Sequence, residues 1–138
     1  MSISFTVYGT PASQGSTRAF IPKGWKRPIV TSTNKKLKPW RQEVAAMAQV
    51  AMRDAHLEII TRRHAIHLNA KFFFSKPKSA KKHSSDRKTT APDLDKLARS
   101  LFDALIGIVY EDDSQVASVV LGKWLDVTPR VEVEAVEL

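Results

Sequence analysis

Cysteine is absent from the 138 residues, which excludes disulfide bridges and any thiolate nucleophile or metal ligand. Long apolar runs are absent as well, and nothing approaches the roughly 20 residues that a membrane helix needs. The opening stretch MSISFTVYG has no basic segment leading into an apolar one, so no secretory signal is read there. Together these absences point to the cytoplasm and away from a membrane partner. Acids are scarce: 14 Asp and Glu stand against 22 Lys and Arg, for a net charge of +8 and a pI of about 9.9. What is present suits one small globular domain. A chain of this length buries a core without staples, and its 43% hydrophobic content is ordinary for one.

The charge is unevenly spread. Six of the fourteen acids fall between Asp93 and Asp113, where only Lys96 and Arg99 oppose them. The rest of the chain is left with 20 bases against eight acids. Such an excess favours a phosphate-rich partner, because each neutralised phosphate releases counterions. Nucleic acid is therefore the expected partner, and the acidic island within the basic chain needs its own explanation.

Periodicity places that island. SISFTVYG alternates, with Ile3, Phe5 and Val7 on one side, and reads as a half-buried strand. From Gly9 to about Pro39 the chain is rich in turn residues and carries Arg18, Lys23, Lys26, Arg27 and Lys36, with one short strand expected near PIVTS. Trp40, Val44, Met47, Ala51 and Ala55 recur at helical spacing, predicting a helix over about 39–57. Ile66, Leu68, Ala70, Phe72 and Phe74 alternate along a long strand. His64 and His67 sit three apart in that stretch, on opposite faces of a strand, and are not read as a metal pair. The segment 76–92 is rich in Lys and Ser, with Lys76, Lys78, Lys81, Lys82, Arg87 and Lys88. It reads as a basic arm that contacts a nucleic-acid backbone. Leu94, Leu97, Ala98, Leu101, Phe102 and Leu105 then form the stripe of an amphipathic helix, with Asp93 as its cap and Gly107 at its end. Two strands, VASVVLGKWLDV and RVEVEAVEL, follow. The fold class is α+β: a mixed sheet with two packed helices in a single small domain.

Seen along the second helix, Asp95, Arg99 and Asp103 form a polar stripe beside the leucines, and Asp93 stands at the same end as Asp95. The helix N-terminus keeps carboxylates there ionised, and ionised oxygen ligands suit Mg²⁺. After the Gly107 turn, Asp112 and Asp113 are expected to return to the helix start if the next strand lies alongside. Singly, each acid reads as a cap, an ion-pair partner or a solvated turn. Together they would repel the phosphates that the rest of the chain attracts, unless a divalent cation stands between.

DLDKLARSLFDAL followed by YEDDSQV resembles the RusA family of Holliday junction resolvases, whose pattern is roughly D-L-D-N-L-x-K-x-x-x-D-A-L and then D-D-x-Q-[VI]. FTVYGTPASQGSTR is similar to the family's first strand, Gly-x-Pro turn and basic loop. The resemblance implies a small dimeric endonuclease that uses Mg²⁺, with Mn²⁺ as a substitute, to nick two strands of a four-way junction symmetrically. It implies a bacterial cell or a phage-infected host. By position, Asp93, Asp95 and Asp113 match the metal-binding aspartates, Asp112 the neighbouring acid, and Asp103 an aspartate of supporting role. Two residues depart from the pattern. Lys96 replaces the usual Asn, and Arg99 replaces a catalytic lysine, keeping its charge without its compact ammonium.

The expected activity is thus metal-assisted phosphodiester hydrolysis on branched double-stranded DNA. Asp93, Asp95 and Asp113 hold the ion, and Arg99 or Lys96 stabilises the charge that develops on the phosphate. A two-fold dimer places two nicks symmetrically. Two other readings are a flap- or fork-specific nuclease of the same family and a non-catalytic architectural binder of structured nucleic acid. Phe72, Phe73, Phe74 and Trp25 are read as core before they are read as base-stacking groups.

Overall fold

The structure is a computed structural model that describes residues 1–15, 17–21, 23–32, 34–78 and 86–138, with 17–20 and 29–32 described as backbone. Its sheet is built on the expected alternation. Strand β4 (Ile66–Ser75) buries Ile66, Leu68, Ala70, Phe72 and Phe74 and turns the residues between them the other way. On its flank, β6 (Arg130–Glu137) buries Val131, Val133 and Ala135, and beyond that β1 (Ser2–Tyr8) buries Ile3, Phe5 and Val7. The antiparallel registers align these residues in rows across three strands: Ile3–Ala135–Leu68, Phe5–Val133–Ala70 and Val7–Val131–Phe72. Two of the rows set an alanine among larger side chains, which lets the helices above seat closely.

Strand β5 (Val116–Asp126) pairs parallel with β4 on the other side, so the order is β1-β6-β4-β5 and the sheet is mixed, as expected. Helix α1 (Leu37–Asp54) lays Leu37, Trp40, Val44, Ala48 and Met52 on the inner face. Helix α2 (Leu94–Leu105) adds Leu97, Leu101 and Leu105, all fully buried. The core is one continuous cluster between the sheet and the two helices. No helix among the described residues is long and apolar enough to cross a membrane.

Three local expectations need correction. The stretch before α1 holds two short strands rather than one: β2 (Thr17–Phe20) pairs antiparallel with β3 (Ile29–Ser32) in a separate hairpin. Helix α1 stops at Asp54, not Leu57, because His56 takes a left-handed backbone conformation (φ 54°) that ends the helical ladder. Trp25 is not core; it is 59% exposed.

Because β4 and β5 are parallel neighbours, the chain must recross the sheet between them, and α2 is that crossing. It therefore starts where β4 ends and ends where β5 begins. This single topological fact decides where the acids lie.

Candidate functional site

The entry into α2 is held from three directions. Lys123 Nζ, on β5, donates to the carbonyls of Thr90 and Pro92 at 2.9 Å each. The segment before the helix adds to the sheet edge, with Arg87 bridged to Trp124, Lys88 N donating to Lys123 O at 3.3 Å and Leu125 N donating to Asp86 O at 2.6 Å. From the other side the loop after β1 lies along the helix: Gln14 N donates to Lys96 O at 3.2 Å, and buried Ser100 donates through Oγ to Ala12 O at 2.8 Å.

Asp93 is the N-cap residue of this helix, but its carboxylate accepts no capping hydrogen bond. Its side chain is 64% exposed, and among the described residues its one ion-pair partner is Lys96 Nζ, at a long 3.9 Å. Asp95 follows, exposed in the first turn. Both carboxylates thus sit in the positive field of a helix start without being consumed by it. Arg99, one turn further, is exposed and pairs with no acid among the described residues, so the alternative Arg99–Asp103 pair is not formed. A cleft of about 260 Å³ opens beside this end, lined by Pro11, Ser13, Asn34, Lys36, Lys88 and Pro92, among others.

The other end of α2 carries a second acidic group. Asp112 caps a single 3-10 turn (Asp113–Gln115): its Oδ2 accepts from Ser114 N at 3.3 Å and from the Ser114 hydroxyl, and Gln115 Oε1 accepts from Asp112 N at 3.0 Å. The hydrogen bonds from Ser114 hold the Asp112 carboxyl below its usual range. Gln115 is buried, and its Nε2 reaches the carbonyls of Ile60, Thr61 and His64 at 3.1, 2.7 and 3.1 Å. Tyr110 is fully buried, and its hydroxyl donates to Phe102 O at 2.7 Å. Burial first, then the charges of Asp113, Asp103 and Asp112, push this phenol well above its ordinary range, so it stays a neutral donor.

The expected return of Asp112 and Asp113 to the helix start does not occur within one chain. Asp93 and Asp95 stand at the beginning of α2 and Asp103, Asp112 and Asp113 at its end. The full length of α2, roughly 18 Å of rise, lies between Asp93 and the chain that leads to Asp112 and Asp113, and Asp103 stands about 12 Å of rise beyond Asp95. Among the described residues no three acids or histidines gather closely enough to hold an ion. The reason is the crossover: β5 begins beneath the end of α2, so the acids just before it are carried away from Asp93. His64 Nδ1 lies 3.0 Å from Glu137 Oε1, and His67 Nδ1 lies 2.8 Å from Ser118 Oγ.

The basic candidates are dispersed around the first acidic group and the hairpin. Lys23, Lys26, Arg27, Lys36 and Lys78 are exposed. Lys76 pairs with Asp86 at 3.2 Å. Arg87 lies over the Trp124 ring at 4.5 Å, and Lys88 donates to Thr90 Oγ1 at 2.9 Å. Arg18 is described as backbone alone, and Lys81 and Lys82 lie outside the described residues. Lys123 was missed by the sequence reading, although a signal existed. It is in register with Phe72, so it is a lysine on the inner face of a strand, where a charge requires a dedicated partner.

Residues 9–135 match the family described as endodeoxyribonuclease RusA. The chain is also 34% identical over 140 residues to the uncharacterized protein YqaN of Bacillus subtilis (strain 168), covering 95% of this chain and 93% of that protein.

Proposed function

The chain belongs to the RusA endodeoxyribonuclease family, and from that membership we propose that it is a divalent-metal-dependent nuclease that resolves four-way DNA junctions as a two-fold dimer. The observation that carries this reading is the pair of exposed carboxylates, Asp93 and Asp95, at a helix start beside a lysine-lined cleft. Two protein carboxylates with water and a substrate phosphate are a common complement for Mg²⁺, so this end of α2 fits such an ion, or Mn²⁺ in its place. The chemistry the ion supplies is charge neutralisation at the scissile phosphate and a more acidic water. Asp93 and Asp95 are its ligands. Arg99 or Lys96 faces the charge that develops on the phosphate. Lys36 and Lys88 draw the DNA backbone into the cleft.

Asp113, with Asp112, belongs to this site through the dimer. Strand β5 is an edge strand; residues 86–88 cover it at Lys123–Leu125, but ahead of that stretch Val119 and Val120 are exposed and, among the described residues, no strand pairs with this part of the edge, so it offers backbone groups to a second copy. Two β5 strands set antiparallel across a two-fold axis bring the start of one to the end of the other. Asp113 of one subunit then approaches the α2 start of its partner.

Mixing two inactive variants, Asp95→Asn and Asp113→Asn, tests this arrangement. A shared site predicts that heterodimers regain one intact site and nick one junction strand, at up to about a quarter of wild-type activity for random pairing. No regained nicking on mixing would mean that Asp95 and Asp113 act within one chain or not together.

A further inference from the structure

The β2–β3 hairpin is not absorbed by the site described above. It forms its own two-stranded sheet, and the connection between its strands passes through Gly24 at φ +85°. Ile21 and Trp25 within it are 62% and 59% exposed. Lys23, Lys26 and Arg27 stand between and beside them, all exposed. No acid occurs anywhere in the first 42 residues; Glu43 is the first. The base of the hairpin is fixed where the acids of α2 begin: Asn34 Nδ2 donates to Ser13 O at 2.7 Å, and Gln14, next along, donates through its backbone to Lys96 O at 3.2 Å.

One exposed apolar side chain is unremarkable on a protein surface. Two within five residues, in a segment whose only charges are positive, limit the partner. Burial against another protein strips water from three cations, and the hairpin has no acid of its own to compensate them. Surfaces that hold unpaired bases combine an aromatic face with neighbouring cations, because base and phosphate alternate along the strand. We infer that the hairpin tip is a branch-reading wedge: Trp25 stacks on an unpaired base at the DNA branch, Ile21 covers its edge, and Lys23, Lys26 and Arg27 hold the flanking phosphates. This rests on the branched-DNA reading and deepens it. The acids cut, and the hairpin anchored beside them selects DNA whose bases have come apart.

The test compares wild type, Trp25→Ala and Trp25→Phe in EDTA, so that binding is read without cleavage. The probes are a four-way junction carrying two unpaired thymines at the branch, a linear duplex of equal length, and phosphatidylserine vesicles. Wild type is expected to prefer the junction. Trp25→Ala is expected to lose about tenfold or more in junction affinity, in line with the usual worth of one base–aromatic stack, with duplex affinity changed less than about twofold. Trp25→Phe keeps most of the preference. Undiminished junction binding by Trp25→Ala overturns the wedge while leaving the nuclease reading intact. Equal losses on junction and duplex overturn it too, since they mean a general effect on binding or folding. A loss confined to the vesicles makes the tip a membrane contact instead. Wild type with no preference for the junction overturns the wedge and the branched-DNA reading together.

Discussion

Gln115 and Lys123 show how single side chains decide where the acids stand. Gln115 Nε2 faces three carbonyls from residues 60–64 while its Oε1 receives Asp112 N, so one buried amide ties the Asp112–Asp113 turn to the body of the domain. Removing it leaves those buried groups unpaired. Gln115→Ala is expected to cost about 1–3 kcal/mol in chemical denaturation. Gln115→Glu should cost more, because a carboxylate then faces three carbonyl oxygens. Lys123 acts at the opposite end by holding Thr90 O and Pro92 O, the last groups before Asp93. It is a positioning residue, with its ammonium turned to the backbone rather than to the cleft. Lys123→Met is expected to lower the nicking rate constant tenfold or more, while junction affinity changes less than about threefold, since small misplacements of reacting groups are costly to rate. An equal loss in both quantities would place Lys123 in binding instead. Gln115 was legible as part of the D-D-x-Q pattern. The role of Lys123 was not, because its partners are backbone carbonyls that no sequence pattern marks.

At the scale of the elements, periodicity carried most of the fold. Strand β4 and helix α2 each have a buried side that is strictly periodic, and both appear where the sequence places them, to within a residue or two. The hairpin strands were only half legible. Four residues such as Thr17–Phe20 are too short for alternation to register, and turn residues crowd both ends. The position of Asp112 and Asp113 was not legible at all. Whether the strand after α2 returns beside the helix start or begins beneath its end depends on parallel pairing with β4, a long-range contact without local signature. The part of the β5 edge around Val119 and Val120, ahead of the stretch that residues 86–88 cover, leads to a further prediction. Val120→Lys places a charge on an exposed edge residue and blunts strand addition. The variant is expected to keep the far-UV circular dichroism of the wild type, to run as a monomer in light scattering, and to lose nicking. A dimer that persists would move the interface away from β5.

For the molecule as a whole, the separation of charges organises function. Bases are in excess in the hairpin, the stretch before α1 and the segment leading to α2, and six of the fourteen acids collect at the two ends of one helix. Lys36 and Lys88 line the cleft next to Asp93, so the cations proposed to attract DNA adjoin the acids proposed to act on it. Binding should then depend steeply on salt: for about six neutralised phosphates, junction affinity falls roughly thousandfold between 50 and 200 mM salt. A nearly flat dependence would mean that the basic residues do not carry the binding. The uneven spread of charge was legible from counts alone, because net charge by segment survives any arrangement of the fold. The proposed pairing of acids across the two ends was not legible in that way, since it would depend on a second copy of the chain.

The most direct test is nicking of a labelled four-way junction by wild type and Asp95→Asn, each with Mg²⁺ and with EDTA. Paired, symmetric nicks that appear only with wild type and Mg²⁺ are the predicted result. Junction binding without nicks by wild type in Mg²⁺ or Mn²⁺, or nicking that survives in EDTA or in Asp95→Asn, would contradict a metal-dependent site built on the start of α2.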